Sequence, residues 1–374
     1  MIGGNSSKSG IAVNDKSAMS MAAVWSCVRL ISESVSSLPF HVYEKETDSV
    51  SLADNHPLEK LISLSPNQMM TSIAFREAMM VSLLLNGNAY CLIVREGGDG
   101  GRPVELKFFE CSDVLVTEVN DNLYYRFKGI DGPINSSNVI HVKGISYDGK
   151  IGISPIQAAK DSIGLGLAVE QFSSSFYKNG SNMGGVITVP SNANDLVRRQ
   201  VREDFANSTT GINNSHKTHL LPSGVEYKPI GIAPQDAEFI ATRKFSIAEI
   251  SRIYRVPLHM ISELDKSSFN NIEEQSSEYV KYTLLPWVKR IEQEFNKKLF
   301  REAELSKYFV RFNLEGLLRG NIKVRSEYYT KMIQNGVLSP NEVRALENMN
   351  KRDGGDEYLT PLNMSSNKEN KNEK

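Results

Sequence analysis

Apolar positions recur along the chain at two spacings, and the change from one to the other divides it. Val24, Val28, Ile31, Val35 and Leu38 follow at steps of four and three, the stripe of a helix with one buried face, and Pro39 ends it before the strand-like FHVYEK. A second helix is predicted over Ser72 to Leu85. Beyond it AYCLIVRE, ELKFFE, VLVTEV, LYYRF and VIHVKG are short runs rich in β-branched and aromatic residues, separated by Gly, Asp or Asn turns. This first part is predicted to be a helix-plus-antiparallel-sheet unit.

The stretch SPIQAAKDSIGLGLAVEQFSSSFYKNG switches to helical spacing, with Ser154 as N-cap, Pro155 at the first position, Gln157 completing a capping box and Asn179-Gly180 as the stop. Such a helix is about 35 Å long at 1.5 Å per residue. It carries two apolar stripes, Ile156/Ala159/Ile163/Leu167 and Leu165/Val169/Phe172/Phe176, so it is expected to touch more than one neighbour. Gly164 and Gly166 each cost about 1 kcal/mol against Ala in a helix interior, which points to a close approach or a bend.

A unit of about fifty residues follows: GVITVP, a polar helix from Asn194 to Ala206, the loop NSTTGINNSHKT, then HLLPSGVEYKPI. It reads as a strand-helix-strand-strand module. A second long helix runs from about Asp236 to Val256, ends at Pro257 and is followed by the Ser/Asn-rich loop LDKSSFNNIEEQ. The third long helix has Val280, Leu284, Val288, Ile291, Phe295 and Leu299 on one stripe, with Pro286 predicted to kink it. After the strand YFVRFNL comes a helical pair, NIKVRSEYYTKMIQNG and SPNEVRALENM, stopped by Gly336 and capped by Ser339 and Glu342. The polar tail from Lys351 is expected to be disordered.

Composition narrows the function classes. In 374 residues, 40% hydrophobic and 23% charged, 43 Lys plus Arg stand against 44 Asp plus Glu, so no global basic field grips nucleic acid. Cys27, Cys91 and Cys111 form no CxxC pair and read as buried free thiols of a reducing compartment. The polar start MIGGNSSKSG shows no signal peptide, and the longest apolar run, AMMVSLLL, is far below the ~20 residues of a membrane span. A soluble protein, cytoplasmic when made and with no membrane contact, is expected.

Three motifs carry candidate chemistry. GISYDGKI, Gly144 to Ile151, matches GxxxxGK between a strand and a helix, but Ile151 stands where a phosphate loop needs Ser or Thr, and the cap at Ser154 starts the helix after Lys150. His216 and His219 would face opposite sides of a strand, and no Cys or acidic cluster joins them, so no metal site is expected. FSIAEISRIYRVPLHMISEL, Phe245 to Leu264, has the outline of a helix-turn-helix. Ser251 and Val256 suit its crossing and its buried turn position. Arg255, however, sits where the turn wants Gly at positive φ, and the reading face offers His259, Ser262, Glu263 and Asp265, whose acids repel phosphate. The pair QNGVLSPNEVRAL offers only Arg344 as a basic reader.

AVWSCVRLISESVSSLPFHVYEK, HPLEKLISLSPNQMMTSIAFREAMMVSLLLNGNAYCLIVRE, GISPIQAAKDSIGLGLAVEQFSSSFYKNG, ATRKFSIAEISRIYRVPLHMI, LLPWVKRIEQEFNKKLF and NGVLSPNEVRALENM, taken in this order from Ala23 to Met349, resemble the portal proteins (head-to-tail connectors) of tailed double-stranded-DNA bacteriophages, siphovirus-type. The resemblance implies an α+β, multi-domain portal fold of wing, stem helices, clip and short crown that assembles into a ring with a central channel. It places a flexible arm at 1–22, the wing at 23–152, stem helix one at 153–180, the clip at 181–233 and stem helix two at 234–257. The tunnel loop then falls at 258–275, a kinked helix and strand returning to the wing at 276–320, crown helices at 321–350 and a disordered tail at 351–374.

The same resemblance implies a dodecameric homo-oligomer at one capsid vertex. It would conduct double-stranded DNA without reading sequence, and would meet the terminase large subunit, the major capsid protein and a head-completion or adaptor protein. Its place is the virion, and the host cytoplasm during assembly. It implies no enzyme activity and no cofactor, since the family's packaging ATPase is a separate subunit. Under it Lys266, Ser267, Asn270 and Asn271 are candidate channel contacts on the tunnel loop, Arg243, Lys244, Arg252 and Arg255 on the stem, and Arg198, Arg199 and Arg202 candidate partner contacts on the clip. A cyclic ring needs a different face on each side of every subunit, and the two-striped helix offers that. A helix-turn-helix DNA-binding protein and a P-loop-like nucleotide-binding enzyme are the alternatives.

Overall fold

The computed structural model describes residues 6–46, 49–178, 185–190, 193–209, 224–229, 236–261, 275–314, 322–347 and 349–359. The first predicted stripe becomes α2 (Ala22–Ser36), whose Val24, Cys27, Val28, Ile31 and Val35 are essentially inaccessible to solvent. It packs against α4 (Ser72–Asn86), which Thr71 caps by accepting from the Ala74 N–H and which Gly87 ends at φ 72°. Only glycine serves there, because a Cβ would lie 2.1 Å from the Ile153 carbonyl oxygen.

The strands predicted between Phe40 and Lys143, and YFVRFNL, form in antiparallel sheets. β3 (Asn88–Arg95) lies between β4 (Pro103–Phe109) and β8 (Val139–Lys143), with Tyr90 opposite both Phe109 and His141. β6 (Asn122–Phe127) lies between β5 (Val114–Val119) and β7 (Ile134–Asn135). β1 (Phe40–Lys45) lies between β2 (Val50–Leu52) and the late strand β11 (Tyr308–Phe312). Phe40 sits opposite Phe312 and stacks on it at 4.0 Å, with Phe295 edge-on at 5.4 Å. Residues far apart in sequence thus close one core.

Arg76 on α4 fastens this core from inside. Its guanidinium is buried and donates to the carbonyls of Ser36 at 2.7 Å, Leu38 at 3.3 Å and Ile62 at 3.3 Å, gathering the C-terminal ends of α2 and α3 (Pro57–Ser63). Burial lowers its pKa to about 10, so it stays charged at neutral pH, with the carbonyls supplying the solvation that water would.

The arm expected to be flexible over 1–22 is corrected from Ser6 onward. Asn14 and Ser17 form a capping box for α1 (Asp15–Met19), Val13, Ala18 and Met21 are buried, and the Lys8 N–H donates to Asp161 at 3.0 Å. The partner that orders the arm is the first long helix, which the local spacing of the arm's own residues does not reveal. That helix also differs from prediction: it forms as α5 (Pro155–Ala158) and α6 (Lys160–Lys178), with a break at Ala159. Ser154 Oγ accepts from the Gln157 N–H at 3.2 Å and donates to the Leu85 carbonyl at 2.6 Å. The Gln157 amide reaches Val13 O at 3.4 Å instead of closing the box. The two glycines mark a close approach to this arm: a Cβ on Gly164 would lie 2.2 Å from Ser7 Oγ, and one on Gly166 2.6 Å from Met21 Cε.

In the inserted module β9 (Gly185–Thr188) and β10 (Glu226–Pro229) pair antiparallel beside α7 (Asp195–Thr209), and Phe205 lies 5.0 Å from Tyr227. The strand predicted near Thr218, with His216 and His219, lies outside the described residues. α8 (Asp236–Tyr254) follows. The third long helix begins with an α turn at 275–278, widens to a π-turn over Tyr279–Leu284 and continues as α9 (Leu285–Leu299), so Pro286 falls in the first turn of α9. The wider π-turn takes up the lost N–H and the ring that a plain helix could accept only by kinking.

α10 (Ile322–Gln334) and α11 (Pro340–Leu346) form the C-terminal pair, with the predicted Ser339–Glu342 capping box complete. The tail expected to be disordered from 351 is corrected up to Leu359. Asn341 is buried and exchanges hydrogen bonds with the Arg352 backbone, its N–H donates to Gly355 O at 2.8 Å, and Tyr358 donates to Glu342 at 2.9 Å.

Candidate functional site

α6 and α8 pack side by side, and α8 also rests on α2. The contact is close because small residues line it: Gly166 on α6 faces Ser246 on α8, with Ile250, Ser251 and Tyr254 continuing the buried side of α8. The Tyr254 hydroxyl donates to Leu84 O at 3.2 Å, which ties the end of α8 to α4. A cavity of about 120 Å³ lies at the junction of α2, α6 and α8, lined in part by Met21, Glu170, Arg243 and Ile261.

The two α6 stripes part company. Ile156 and Ile163 are fully buried in the chain's own core, whereas Leu165 is 43% and Phe172 54% exposed, and Phe245 on α8 is 54% exposed. Of the second row, Leu165 and Phe172 stand exposed, while Val169 is half-buried at the junction cavity.

α8 ends in a tight reversal. Arg255 takes φ 55°, the left-handed conformation that glycine usually fills, and the Arg255 and Val256 N–H groups fold back on Arg252 O and Ser251 O. The Ser251 hydroxyl donates to Val256 O, and Thr283 Oγ1 of the π-turn donates to Arg255 O at 2.5 Å. His259 Nδ1 pairs with Gln275 Oε1 at 2.8 Å. These bonds hold together the two ends of the segment that contains Lys266, Ser267, Asn270 and Asn271, which themselves lie outside the described residues.

The four stem candidates are exposed but do not form one patch. Arg243 and Arg252 are nine residues apart, about two and a half turns, and therefore lie on opposite sides of α8. Arg252 pairs with Glu249, Arg243 borders the junction cavity, Lys244 lies next to it, and Arg255 projects from the reversal. On α7, Arg198, Arg199 and Arg202 are all exposed, with Arg198 at 3.8 Å from Asp195.

The competing motifs take other shapes. In GISYDGKI the Asp148 carboxylate accepts from Lys150 N at 2.8 Å and from Ser146 Oγ at 2.9 Å, and Lys150 Nζ pairs with Glu118 at 2.5 Å. Helix α5 begins five residues after Lys150, so no helical N–H groups point toward that lysine. The helix-turn-helix outline is corrected too: Arg255 does adopt the positive φ, but the chain beyond it forms a four-residue 3₁₀ turn, Leu258–Ile261, too short to lie in a groove. Among the described residues no group of three or more His, Cys, Asp or Glu is placed to hold a metal, and no helix is long and apolar enough to cross a membrane.

The arrangement of sheet unit, paired long helices, inserted module and short helical pair has known relatives. The phage portal protein family model matches residues 22–348. The chain belongs to this family. The portal protein of Enterobacteria phage HK97 is 31% identical over 96% of this chain and 87% of its own. The crystal structure of an HK97-family phage portal protein from Corynebacterium diphtheriae shares the fold, with a TM-score of 0.62 at 16% identity over 81% of this chain and 96% of that one. A chain in the neck of a native gene transfer agent particle, computed with C12 symmetry, gives 0.60 at 20% identity over 90% and 92%.

Sequence reasoning missed several of the residues that shape this site. Thr283 was not singled out and Ser251 was read only as a small residue at a helix crossing; both fix the reversal through hydroxyl-to-carbonyl bonds, which leave no mark on hydrophobic periodicity. A run of like charge, Lys297-Lys298 with Arg301 at the end of α9, was visible in the sequence, but its partner Arg95 on β3 was not.

Proposed function

We propose that this protein forms a dodecameric ring at one capsid vertex, conducts double-stranded DNA in packaging and ejection without reading its sequence, and docks the terminase large subunit, the major capsid protein and a head-completion or adaptor protein. The observation that carries this reading is the exposed pair on α6, Leu165 and Phe172, opposite the buried Ile163. A second copy is the natural cover, since a ring uses two different faces of each subunit.

On this reading residues 23–152 with the returning segment 276–320 are the wing, α6 and α8 the stem, 181–233 the clip, 258–275 the tunnel loop and 321–350 a short crown. Lys266, Ser267, Asn270, Asn271, Arg243, Lys244, Arg252 and Arg255 are the proposed channel contacts, and Arg198, Arg199 and Arg202 the proposed clip contacts. A net charge of −1 suits passage, because a strongly basic bore would hold a polymer that carries a charge every ~1.7 Å. The chain itself catalyses nothing and needs no cofactor; the energy for DNA movement comes from the terminase. Electron microscopy of the purified chain tests this: rings with a central hole are expected, and a persistent monomer or dimer that binds one duplex sequence would refute it.

A further inference from the structure

Four cations converge on one concavity in a chain whose net charge is −1. Arg95 from β3 and Lys297, Lys298 and Arg301 from the end of α9 line a cavity of about 370 Å³ together with Ser136, Ser137 and Asn138, and no acidic residue shares the lining. Two of the four are built into the walls. Arg95 donates to Asn138 Oδ1 at 2.8 Å, Gly101 O at 3.0 Å, Ser137 O at 3.3 Å and Lys298 O at 2.6 Å, and Lys298 Nζ donates to Ser136 O.

The other two are uncommitted. Lys297, in the last turn of α9, and Arg301, just beyond its extended C-cap Phe300, are exposed and form no side-chain hydrogen bond or ion pair among the described residues. The C-terminus of α9 favours a cation in its last turn by only a few tenths of a kcal/mol. Burial, with the neighbouring cations, holds Lys298 below its ordinary pKa, and burial first and then Arg301 do the same to Arg95, although Glu294 and Asp99 respectively work against the shift. The cluster is therefore short of negative charge.

We propose that this concavity between the end of α9 and the Ser136–Asn138 turn is a binding site for phosphate groups. The donors fit that class. Arg301 offers a planar fork, Lys297 a mobile ammonium and Lys298 its remaining protons, all donors without acceptors. A single carboxylate brings one negative charge, whereas a phosphate monoester brings about −1.5 to −2 and two consecutive diesters bring two, closer to what the pocket lacks. The phosphates are those of a nucleic-acid backbone or of a free phosphate compound. The proposal does not rest on ring formation.

The full chain is titrated with inorganic pyrophosphate by calorimetry and with a short fluorescein-labelled DNA by anisotropy, at low and at physiological salt. The double variant Lys297→Glu/Arg301→Glu is expected to weaken pyrophosphate binding about tenfold or more, while Arg126→Glu, an exposed arginine on β6, leaves it within about twofold. Lys297→Gln/Arg301→Gln, checked for an unchanged melting temperature, gives the same direction without charge reversal. Displacement of the DNA by pyrophosphate assigns the backbone as source, and pyrophosphate binding without competition assigns a free phosphate compound. Neither ligand binding, an equal loss in Arg126→Glu, or a polyglutamate peptide binding more tightly than pyrophosphate would overturn the proposal.

Discussion

The Thr283 hydroxyl donates to the Arg255 carbonyl at 2.5 Å, joining a left-handed residue at the end of α8 to the π-turn that opens α9. Two locally unfavourable conformations thus meet in one hydrogen bond, and each braces the other.

Arg255→Gly is expected to stabilise the chain by about 1 kcal/mol, because glycine adopts this conformation without the Cβ clash and the Arg255 side chain is exposed. Thr283→Val, which strips the carbonyl of its donor, costs about 1–2 kcal/mol. Denaturant midpoints of the two variants check both signs. If Arg255→Gly keeps its rings yet packages less DNA, the guanidinium is a channel contact.

Gly164→Ala brings a Cβ to 2.2 Å from Ser7 Oγ and 2.3 Å from Ser7 Cβ. The arm has to move, so a loss of about 1–3 kcal/mol is expected, with faster tryptic cleavage at Lys8. Adding Ser7→Gly relieves the clash. The double variant is then more stable than Gly164→Ala alone, the non-additivity of touching residues that a double-mutant cycle measures.

Leu165→Glu with Phe172→Glu is expected to convert rings into single chains. Covering such side chains is worth about 1.5–3 kcal/mol each, repeated at every subunit contact. Both residues are exposed in the single chain, so its melting temperature stays the same. Sedimentation velocity reads assembly and calorimetry reads folding. Unchanged rings would remove the α6 stripe from the interface.

His141 gives the β4–β3–β8 sheet an acid-sensitive component. The Asn88 amide donates to Asn86 O and Gly152 O, so its oxygen faces His141 Nε2 at 3.0 Å and fixes the proton there, while Nδ1 accepts from Tyr125 at 3.0 Å. Burial first, then Lys143 and Lys298, lowers the pKa from 6.5 to about 3. The unfolded chain takes up the proton before the folded one does. This contribution is therefore complete above pH 6.5, falls as pH drops toward 3 by up to about 1.4 kcal/mol per unit, and levels off below. His141→Gln should flatten that part of the stability profile measured by denaturation between pH 7 and 4.

Arg76→Leu leaves the buried Ser36 and Leu38 carbonyls without their donor, Ile62 O keeping the Ser72 hydroxyl, and is expected to cost about 2–4 kcal/mol. Arg76→Lys recovers only part of this, since an ammonium cannot span carbonyls from two helix ends in one plane. Thermal melts of both variants order them.

The elements themselves were legible. α2, α4, the strands β1, β3 to β6 and β8, the Gly336 stop and the Ser339–Glu342 box all follow from periodicity and capping, because those signals act within a few residues of sequence, whereas the short β2 and β7 were not predicted. What was not legible depended on distant partners. The arm at Ser7 is ordered by Gly164, the tail at Arg352 by Asn341, and the break at Ala159 and the π-turn before Pro286 are local compromises with packing. Of the candidate site residues, Arg252 and Arg255 lie near one end of α8, but Arg243 lies on the other side of the helix, a separation that follows from helical rotation once the helix is placed.

The sequence alone determined the place of α2, α4, most strands and the C-terminal helical pair, the near-neutral charge, and the failure of the phosphate loop at Ile151. Tertiary structure alone decided which α6 stripe one chain covers, which arginine is held in a left-handed turn, and which cations share a pocket. Short-range rules set each element because its signals are carried by neighbouring residues. Burial and charge are sums over everything nearby in space, and Arg95 meets Lys298 only after β3 and the end of α9 have been brought together.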